Sequence, residues 1–215
     1  MKPLCIVAPD RSSTLDRTAA LKNSVWIAEQ TIKRARSDDC EHIALIGDLA
    51  TCEALSERLP HCVGAVICAH GSMYALSGQD DHLLVDTSSA QMLAGVFVHA
   101  VACGTGGELA QAAVDAGALL YVGYAKAVNV EGGDYDRLSQ PARDAVAKIS
   151  TATSLALASG ERDPEALRAA VVAVRDDVTR AIQSTPMSGF QSMALQALVS
   201  ALEDPVIVVG TPPEG

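Results

Sequence analysis

The chain has 215 residues, of which 49% are hydrophobic and only 3% aromatic. This composition excludes a disordered chain and indicates a buried core built from Ala, Val, Leu and Ile. With 26 acidic residues against 16 basic ones, the formal net charge is -10. That balance argues against nucleic acid as a partner, because phosphate binding needs clustered Lys and Arg.

Apolar runs alternate with helical patterns along the chain. Strands are predicted at residues 4–8, 43–47, 62–69, 96–102, 118–122 and 205–209. Helices are predicted around residues 21–36, 51–59, 109–116, 141–159, 164–183 and 193–202. Because strands that alternate with helices form a mainly parallel sheet with helices on both faces, we expect an α/β fold. We expect one domain over residues 1–215, with a loose C-terminal tail at 210–215.

The pattern changes between the third and fourth predicted strands. Residues 73–76 and 83–86 are short apolar pieces on either side of the turn signal Ser-Gly-Gln-Asp-Asp. Together they predict a β-hairpin outside the main sheet. The stretch from Ser88 to Gln91 then fits a capping box, which predicts a short helix after the hairpin.

Two of the predicted strands run directly into residues that can carry chemistry. One ends in His70-Gly71, and the other ends in Cys103, which a glycine-rich turn follows. The carboxyl ends of parallel strands meet at one edge of a sheet, where open α/β folds bind their ligands. Taken singly, a histidine or cysteine at such a place is more often a packing residue. The pair, delivered to one edge, indicates nucleophilic catalysis.

The order strand-His-Gly, strand-Ala-Cys-Gly-Thr-Gly, helix and Ala-Gly-Ala-strand resembles the caspase-like cysteine peptidases, the clan of caspases, gingipains and separase. Among them it is most similar to the CHAT-type members, and the likeness covers residues 62–123. The resemblance implies a three-layer fold around a six-stranded sheet. It also implies that Cys103 is the nucleophile and His70 the general acid and base. The backbone N–H groups of Gly71 and Cys103 would bind the oxyanion.

The resemblance further implies a protein or peptide substrate, no cofactor and no metal. Acidic residues near this edge would select Arg or Lys before the cut, whereas Arg11 and Lys126 would select Asp. Because the acids outnumber the bases, we predict a basic residue before the cut. The candidate substrate-binding residues are Asp80, Asp81, Asp86, Glu131, Asp134, Asp136 and Arg11.

Regulation and compartment are also open to prediction. Family analogy implies a regulated proteolytic pathway with an upstream activating protein. The long polar connection from Tyr124 to Gln140 is our candidate for the element that is cleaved or reordered. Residues 4–8 are too short for the apolar part of a secretory signal, and no apolar run is long enough to cross a membrane. We therefore expect the cytoplasm and no membrane partner.

Two rival interpretations belong to other functional classes. The chain could be a catalytically inactive caspase-fold interaction module, or a small-molecule binder on a flavodoxin-like sheet. The second depends only on the glycine turn, which fails both the dinucleotide fingerprint and the P-loop pattern. His99 on the cysteine strand is predicted to be a core or interface residue. The remaining histidines and cysteines match no zinc-binding spacing.

Overall fold

The computed structural model describes residues 2–128, 139–184 and 189–210, which form nine strands and six α-helices. The strands are β1 (Leu4–Ala8), β2 (His42–Ile46), β3 (Gly64–Cys68), β4 (His70–Gly71), β5 (Ala75–Ser77), β6 (Leu83–Asp86), β7 (Phe97–Val101), β8 (Leu120–Gly123) and β9 (Val206–Val209). The helices are α1 (Leu15–Ser37), α2 (Cys52–Arg58), α3 (Glu108–Asp115), α4 (Gln140–Ala158), α5 (Pro164–Ser184) and α6 (Gly189–Leu202).

Six strands form one sheet in the order β2-β1-β3-β7-β8-β9. The pairs from β2 to β8 are parallel, and β9 closes the edge antiparallel to β8. Helices cover both faces, since an apolar strand in a parallel sheet has two sides to bury. The predicted fold class, a mainly parallel six-stranded sheet between layers of helices, is confirmed.

The core is divided by the sheet into two apolar layers. Along β1, Leu4, Ile6 and Ala8 point to the layer that α1 and α4 cover. Cys5 and Val7 point to the opposite layer, which α2 and α3 cover. This alternation follows from the period of two along a strand. It leaves the carboxyl ends of β1, β3 and β7 at one edge, between the two helical layers.

A second, three-stranded sheet in the order β4-β5-β6 follows β3. It contains the predicted hairpin, but its first long strand lies at Ala75–Ser77 and not at residues 73–76. The predicted capping box is wrong, because the Ser88 hydroxyl donates to Oδ1 of Asp86 at 2.8 Å. Only a short 3-10 turn, Ala90–Leu93, forms there, and it has no side-chain cap.

His99 is fully buried, as predicted for a core residue. Its Nδ1 lies 2.7 Å from the Ser154 hydroxyl on α4, and its Nε2 lies 2.9 Å from the Tyr124 hydroxyl. Burial lowers the pKa of His99 to about 3, so the ring is neutral at pH 7. The two hydrogen bonds satisfy a polar side chain that would otherwise be costly to bury.

Several predictions lie outside the described residues. They are the middle of the polar connection, at 129–138, and most of the tail, at 211–215. Within the described ranges, no helix combines the length and the apolar character needed to cross a membrane.

Candidate active site

His70 and Cys103 come together at the carboxyl edge of the main sheet. Strands β3 and β7 are parallel neighbours, and their last residues, Cys68 and Val101, are paired in register. His70 and Cys103 follow these paired residues by the same number of positions. They therefore lie at the same level of the sheet. Both side chains line the same cavity. The parallel pairing of β3 and β7 thus brings His70 and Cys103 to the same edge of the sheet, as the sequence predicted.

The imidazole of His70 is held by the main chain of α1. Its Nε2 lies 3.0 Å from the carbonyl oxygen of Arg17. A carbonyl only accepts hydrogen bonds, so Nε2 carries the proton of the neutral ring and Nδ1 is the basic nitrogen. Burial lowers the pKa of His70, while the Arg17 carbonyl opposes this by favouring the protonated ring.

Cys103 is half-buried, and its sulfur is in contact with the segment that follows β8. The backbone N–H of Val128 donates to Sγ of Cys103 at 3.3 Å. Next to it, the N–H of Gly104 donates to the carbonyl of Lys126 at 3.4 Å. The connection after β8 therefore closes over the cysteine turn.

The turn after Cys103 has a fixed shape. Gly104 has φ +72, a conformation that residues with a Cβ rarely adopt. The buried Thr105 donates from Oγ1 to the carbonyl of Ala102 at 3.0 Å. Thr105 thus stabilises the predicted glycine turn by a hydrogen bond to the residue before Cys103.

Gly71 lies against the backbone of Cys103. A Cβ added at Gly71 would be 2.7 Å from the Cys103 carbonyl oxygen and 2.6 Å from Cγ2 of Thr105. Only glycine allows this approach. The two residues predicted to form the oxyanion site therefore have adjoining main chains.

The acidic residues predicted to bind substrate have partners within the chain. Asp80 receives two hydrogen bonds from Arg11, at 2.7 Å and 2.8 Å, in a bidentate pair. Arg11 also contacts Asp48 at 3.3 Å. Hydrogen bonding and charge from Arg11 lower the pKa of Asp80. The predicted acid and the predicted base thus bind each other.

Asp81 connects the hairpin to the start of α1. Its carboxylate accepts from the Ser12 hydroxyl at 2.7 Å and from the Ser13 N–H at 2.8 Å. It also lies 3.1 Å from the Arg17 guanidinium. Burial tends to raise the pKa of Asp81, but the hydrogen bonds from Ser13 and Ser12 and the charge of Arg17 outweigh it, and the pKa is lowered to about 2.

Asp86 organises its own turn, because its Oδ1 accepts from the Ser88 and Ser89 N–H groups at 3.0 Å and 2.9 Å. Hydrogen bonds from the Ser89 and Ser88 hydroxyls, and after them those from the two N–H groups, lower the pKa of Asp86. The other acids in the prediction, Glu131, Asp134 and Asp136, lie outside the described residues.

Sequence reasoning did not find Arg17, Thr105 or Val128. Arg17 and Val128 contact the site through a carbonyl and an N–H, and every residue type carries those groups. Thr105 stood in the quoted Cys-Gly-Thr-Gly motif, so its position was visible although its hydrogen bond was not.

No protein-family model matches the chain, and no curated protein matches it. Among solved structures, it is similar to the complex of the pro- and mature domains of RgpB from Porphyromonas gingivalis. That comparison has a TM-score of 0.49 and 11% identity, and covers 97% of this chain and 47% of the other.

It is also similar to the Arg-specific cysteine proteinase gingipain R, with a TM-score of 0.46, 12% identity, and 90% and 44% of the two chains covered. A third similar structure is a secreted C11 cysteine protease from Bacteroides thetaiotaomicron, with a TM-score of 0.43, 11% identity, and 89% and 62% covered. The chain spans less than half the length of the first two structures and less than two thirds of the third.

Proposed function

We propose that the chain is a caspase-like cysteine endopeptidase in which Cys103 is the nucleophile and His70 transfers protons. The observation that supports this most is the shared cavity of the two side chains at the carboxyl edge of the sheet. The Arg17 carbonyl adds to it, because it fixes the tautomer of His70 and leaves Nδ1 as the base. A nucleophile, a base and a group that orients the base form the minimal arrangement for covalent catalysis.

The proposed reaction has two halves. The sulfur of Cys103, as a thiolate, attacks the carbonyl carbon of the peptide, and the carbonyl oxygen becomes an oxyanion that the Gly71 and Cys103 N–H groups bind. His70, as imidazolium, gives its proton to the leaving amine, and the C–N bond breaks to leave a thioester. Neutral His70 then takes a proton from water, which attacks the thioester; the acid is released, and Cys103 thiolate and His70 imidazolium are restored.

The test compares the wild-type protein with Cys103→Ala on a panel of peptides and on a denatured protein. We expect Cys103→Ala and His70→Ala to lose at least about 1,000-fold in kcat/KM. Cys52→Ala is the matched control, because Cys52 is an exposed thiol at the start of α2. Hydrolysis that survives in Cys103→Ala at the wild-type rate contradicts the proposal.

The rival classes give different results. An inactive interaction module would keep its fold and hydrolyse nothing, and a thiol-reactive peptide probe would not label Cys103 faster than Cys52. A small-molecule binder would gain thermal stability from a nucleotide or another small anion and none from a peptide. Labelling that depends on His70 supports the peptidase over both.

The finer predictions from the sequence belong to this proposal. The enzyme acts as one domain over residues 1–215, in the cytoplasm, within a regulated pathway and under an activating protein. The connection from Tyr124 to Gln140 is the proposed element of activation, and its first part contacts the nucleophile through Val128. Full activity of unprocessed protein with no lag would contradict this regulation.

The choice of a basic residue before the cut remains a prediction from the number of acids near this edge. Of those acids, Asp80 is paired with Arg11 and Asp81 lies beside Arg17. A substrate cation would have to compete with these internal pairs. Cleavage of peptides that differ only in the residue before the cut tests this preference directly.

A further inference from the structure

The cavity beside Cys103 and His70 has a second wall that the sequence did not indicate. Helix α1 contributes Ala20, Asn23 and Ser24, strand β7 contributes Val101, and the segment after β8 contributes Val128. The volume is about 30 Å³. This is room for about two water molecules, or for a side chain of one to three heavy atoms.

The wall carries no fixed charge among the residues that the structure describes. Apart from His70 and Cys103 themselves, none of its described lining residues is ionisable. Asp80 and Asp81 do not line it, and their carboxylates bind Arg11 and the start of α1 instead. Asn23, which is 7% exposed, and Ser24 give one side of the cavity a polar character.

We propose that this cavity receives the side chain of the residue before the cut, and that it selects a small uncharged residue such as Ala or Ser. The inference rests on the proposed peptidase function, since it assigns a substrate class to the same site. A side chain next to the attacked carbonyl must lie beside the nucleophile, and this cavity is bounded by Cys103 and His70 together.

The size of the cavity and the lack of charge in its described lining both argue against the larger alternatives. An Arg or Lys head group in this cavity would lose its water and meet no carboxylate among the described lining residues. An unpaired buried charge is strongly destabilising. Leu and Phe side chains have four or more heavy atoms, which is more than a cavity of about 30 Å³ holds. This differs from the basic residue predicted from the sequence, and one experiment separates the two.

The experiment uses peptides that differ only in the residue before the cut, with Ala, Ser, Val, Leu, Arg, Lys and Asp compared. We expect kcat/KM for Ala and Ser to exceed that for Leu, Arg, Lys and Asp by at least about tenfold. Preferred cleavage after Arg or Lys overturns the inference and leaves the peptidase function intact. Preferred cleavage after Asp or Leu overturns it as well.

A second measurement applies if peptide hydrolysis is too slow to compare. Peptides with a thiol-reactive group at the carbonyl position, and Ala, Leu or Arg before it, are compared by the rate at which they modify Cys103. The fastest modification should come from the Ala peptide. Faster modification by the Arg or Leu peptide overturns the inference alone. If no peptide modifies Cys103 faster than Cys52, the peptidase function fails, and the inference fails with it.

Two variants change the wall in opposite ways. Val128→Ala enlarges the cavity and keeps the N–H that binds Cys103, so kcat/KM for Leu should rise at least about tenfold relative to Ala. Ser24→Leu fills part of the cavity, so kcat/KM for Ala and Ser should fall by a similar factor. Val172→Ala is the control, because Val172 is a surface residue on α5 outside the cavity, and its specificity should equal that of the wild type. Unchanged specificity in folded Val128→Ala, or unchanged kcat/KM for Ala and Ser in folded Ser24→Leu, overturns the inference.

Discussion

The backbone of Gly71 adjoins that of Cys103 so closely that a single methyl group would not fit between them. The added Cβ would lie 2.7 Å from the Cys103 carbonyl oxygen. The atom that would be displaced is main chain and cannot rotate away. We therefore expect Gly71→Ala to shift the nucleophile turn, to lower kcat/KM by at least about a hundredfold and to cost about 1–3 kcal/mol of stability.

The control for this substitution is Gly189→Ala at the start of α6. A Cβ there would meet no atom of the described residues within 4 Å, and its φ is not in the left-handed region. It should keep full activity, with stability unchanged or slightly higher. Denaturant unfolding and peptide hydrolysis measure both effects. Full activity in Gly71→Ala would mean that the oxyanion site lies elsewhere.

Thr105 offers a test of the shape of the turn. Thr105→Val keeps the methyl that faces Gly71 and removes the hydroxyl that binds the Ala102 carbonyl at 3.0 Å. We expect a loss of about 1–2 kcal/mol from the buried carbonyl left without this partner. Because the turn holds Cys103, kcat should fall about tenfold while KM changes little.

Thr31→Val is the matched control for Thr105→Val. Thr31 is also fully buried, and its hydroxyl donates to the Ile27 carbonyl at 3.0 Å. That carbonyl keeps its bond within α1, so the loss should be smaller and kcat should not change. Equal effects of the two substitutions on kcat would contradict a role for Thr105 in positioning the nucleophile.

The sheet and the approach of His70 to Cys103 could be predicted because both follow from apolar runs. Continuous apolar strands imply a parallel sheet, and parallel strands place their carboxyl ends together. Those patterns are local, and the sequence displays them directly. The two-residue strand β4 has no such pattern, because its pairing with β5 depends on where the main sheet ends.

The roles of the charged residues could not be predicted in the same way. Arg11 and Asp80 are 69 positions apart, and each looks like a solvated residue in its own stretch. Their pairing depends on the loop after β1 meeting the hairpin, which only the assembled fold decides. The contact of the Arg17 carbonyl with His70 could not be predicted either, because every residue type carries a main-chain carbonyl.

Asp81 connects the hairpin to the helix that orients His70, so Asp81→Asn should affect both stability and pH dependence. Its pKa is lowered to about 2 in the folded protein, below the ordinary 3.8. A lowered carboxyl pKa contributes stability above the ordinary value, which is lost as the pH falls from about 4 to 2. Asp81→Asn should be about 1–2 kcal/mol less stable than the wild type at pH 7. Its stability should also fall less steeply as the pH drops from about 4 to 2.

The same substitution should move the pH profile of hydrolysis. Burial lowers the pKa of His70, and the negative charge of Asp81 opposes that shift. Removing the charge lowers the His70 pKa further, so the alkaline limb of kcat/KM, where the imidazolium loses its proton, should move to lower pH. Asp80→Asn, which breaks only the exposed pair with Arg11, should leave this limb in place. A limb that does not move in Asp81→Asn contradicts the coupling.

Because His99 is buried in its neutral form, we expect the protein to lose stability at mildly acidic pH. This effect does not involve the candidate site. Burial lowers its pKa to about 3 in the folded protein, whereas the unfolded chain has the ordinary value of 6.5. The unfolded state then binds more protons between these values, so stability falls as the pH drops from about 6.5 towards 3. Between pH 7 and pH 5 this loss should be about 2 kcal/mol.

The measurement is urea unfolding of the wild type and His99→Gln at pH 7, 6 and 5. Glutamine can still bind the Ser154 and Tyr124 hydroxyls, which lie 2.7 Å and 2.9 Å from the histidine nitrogens. We expect His99→Gln to be about 1–3 kcal/mol less stable at pH 7, because its shape differs, but to lose much less than the wild type on acidification. His61→Gln, at an exposed position, should keep the wild-type slope. A wild-type slope in folded His99→Gln would show that other groups cause the acid sensitivity.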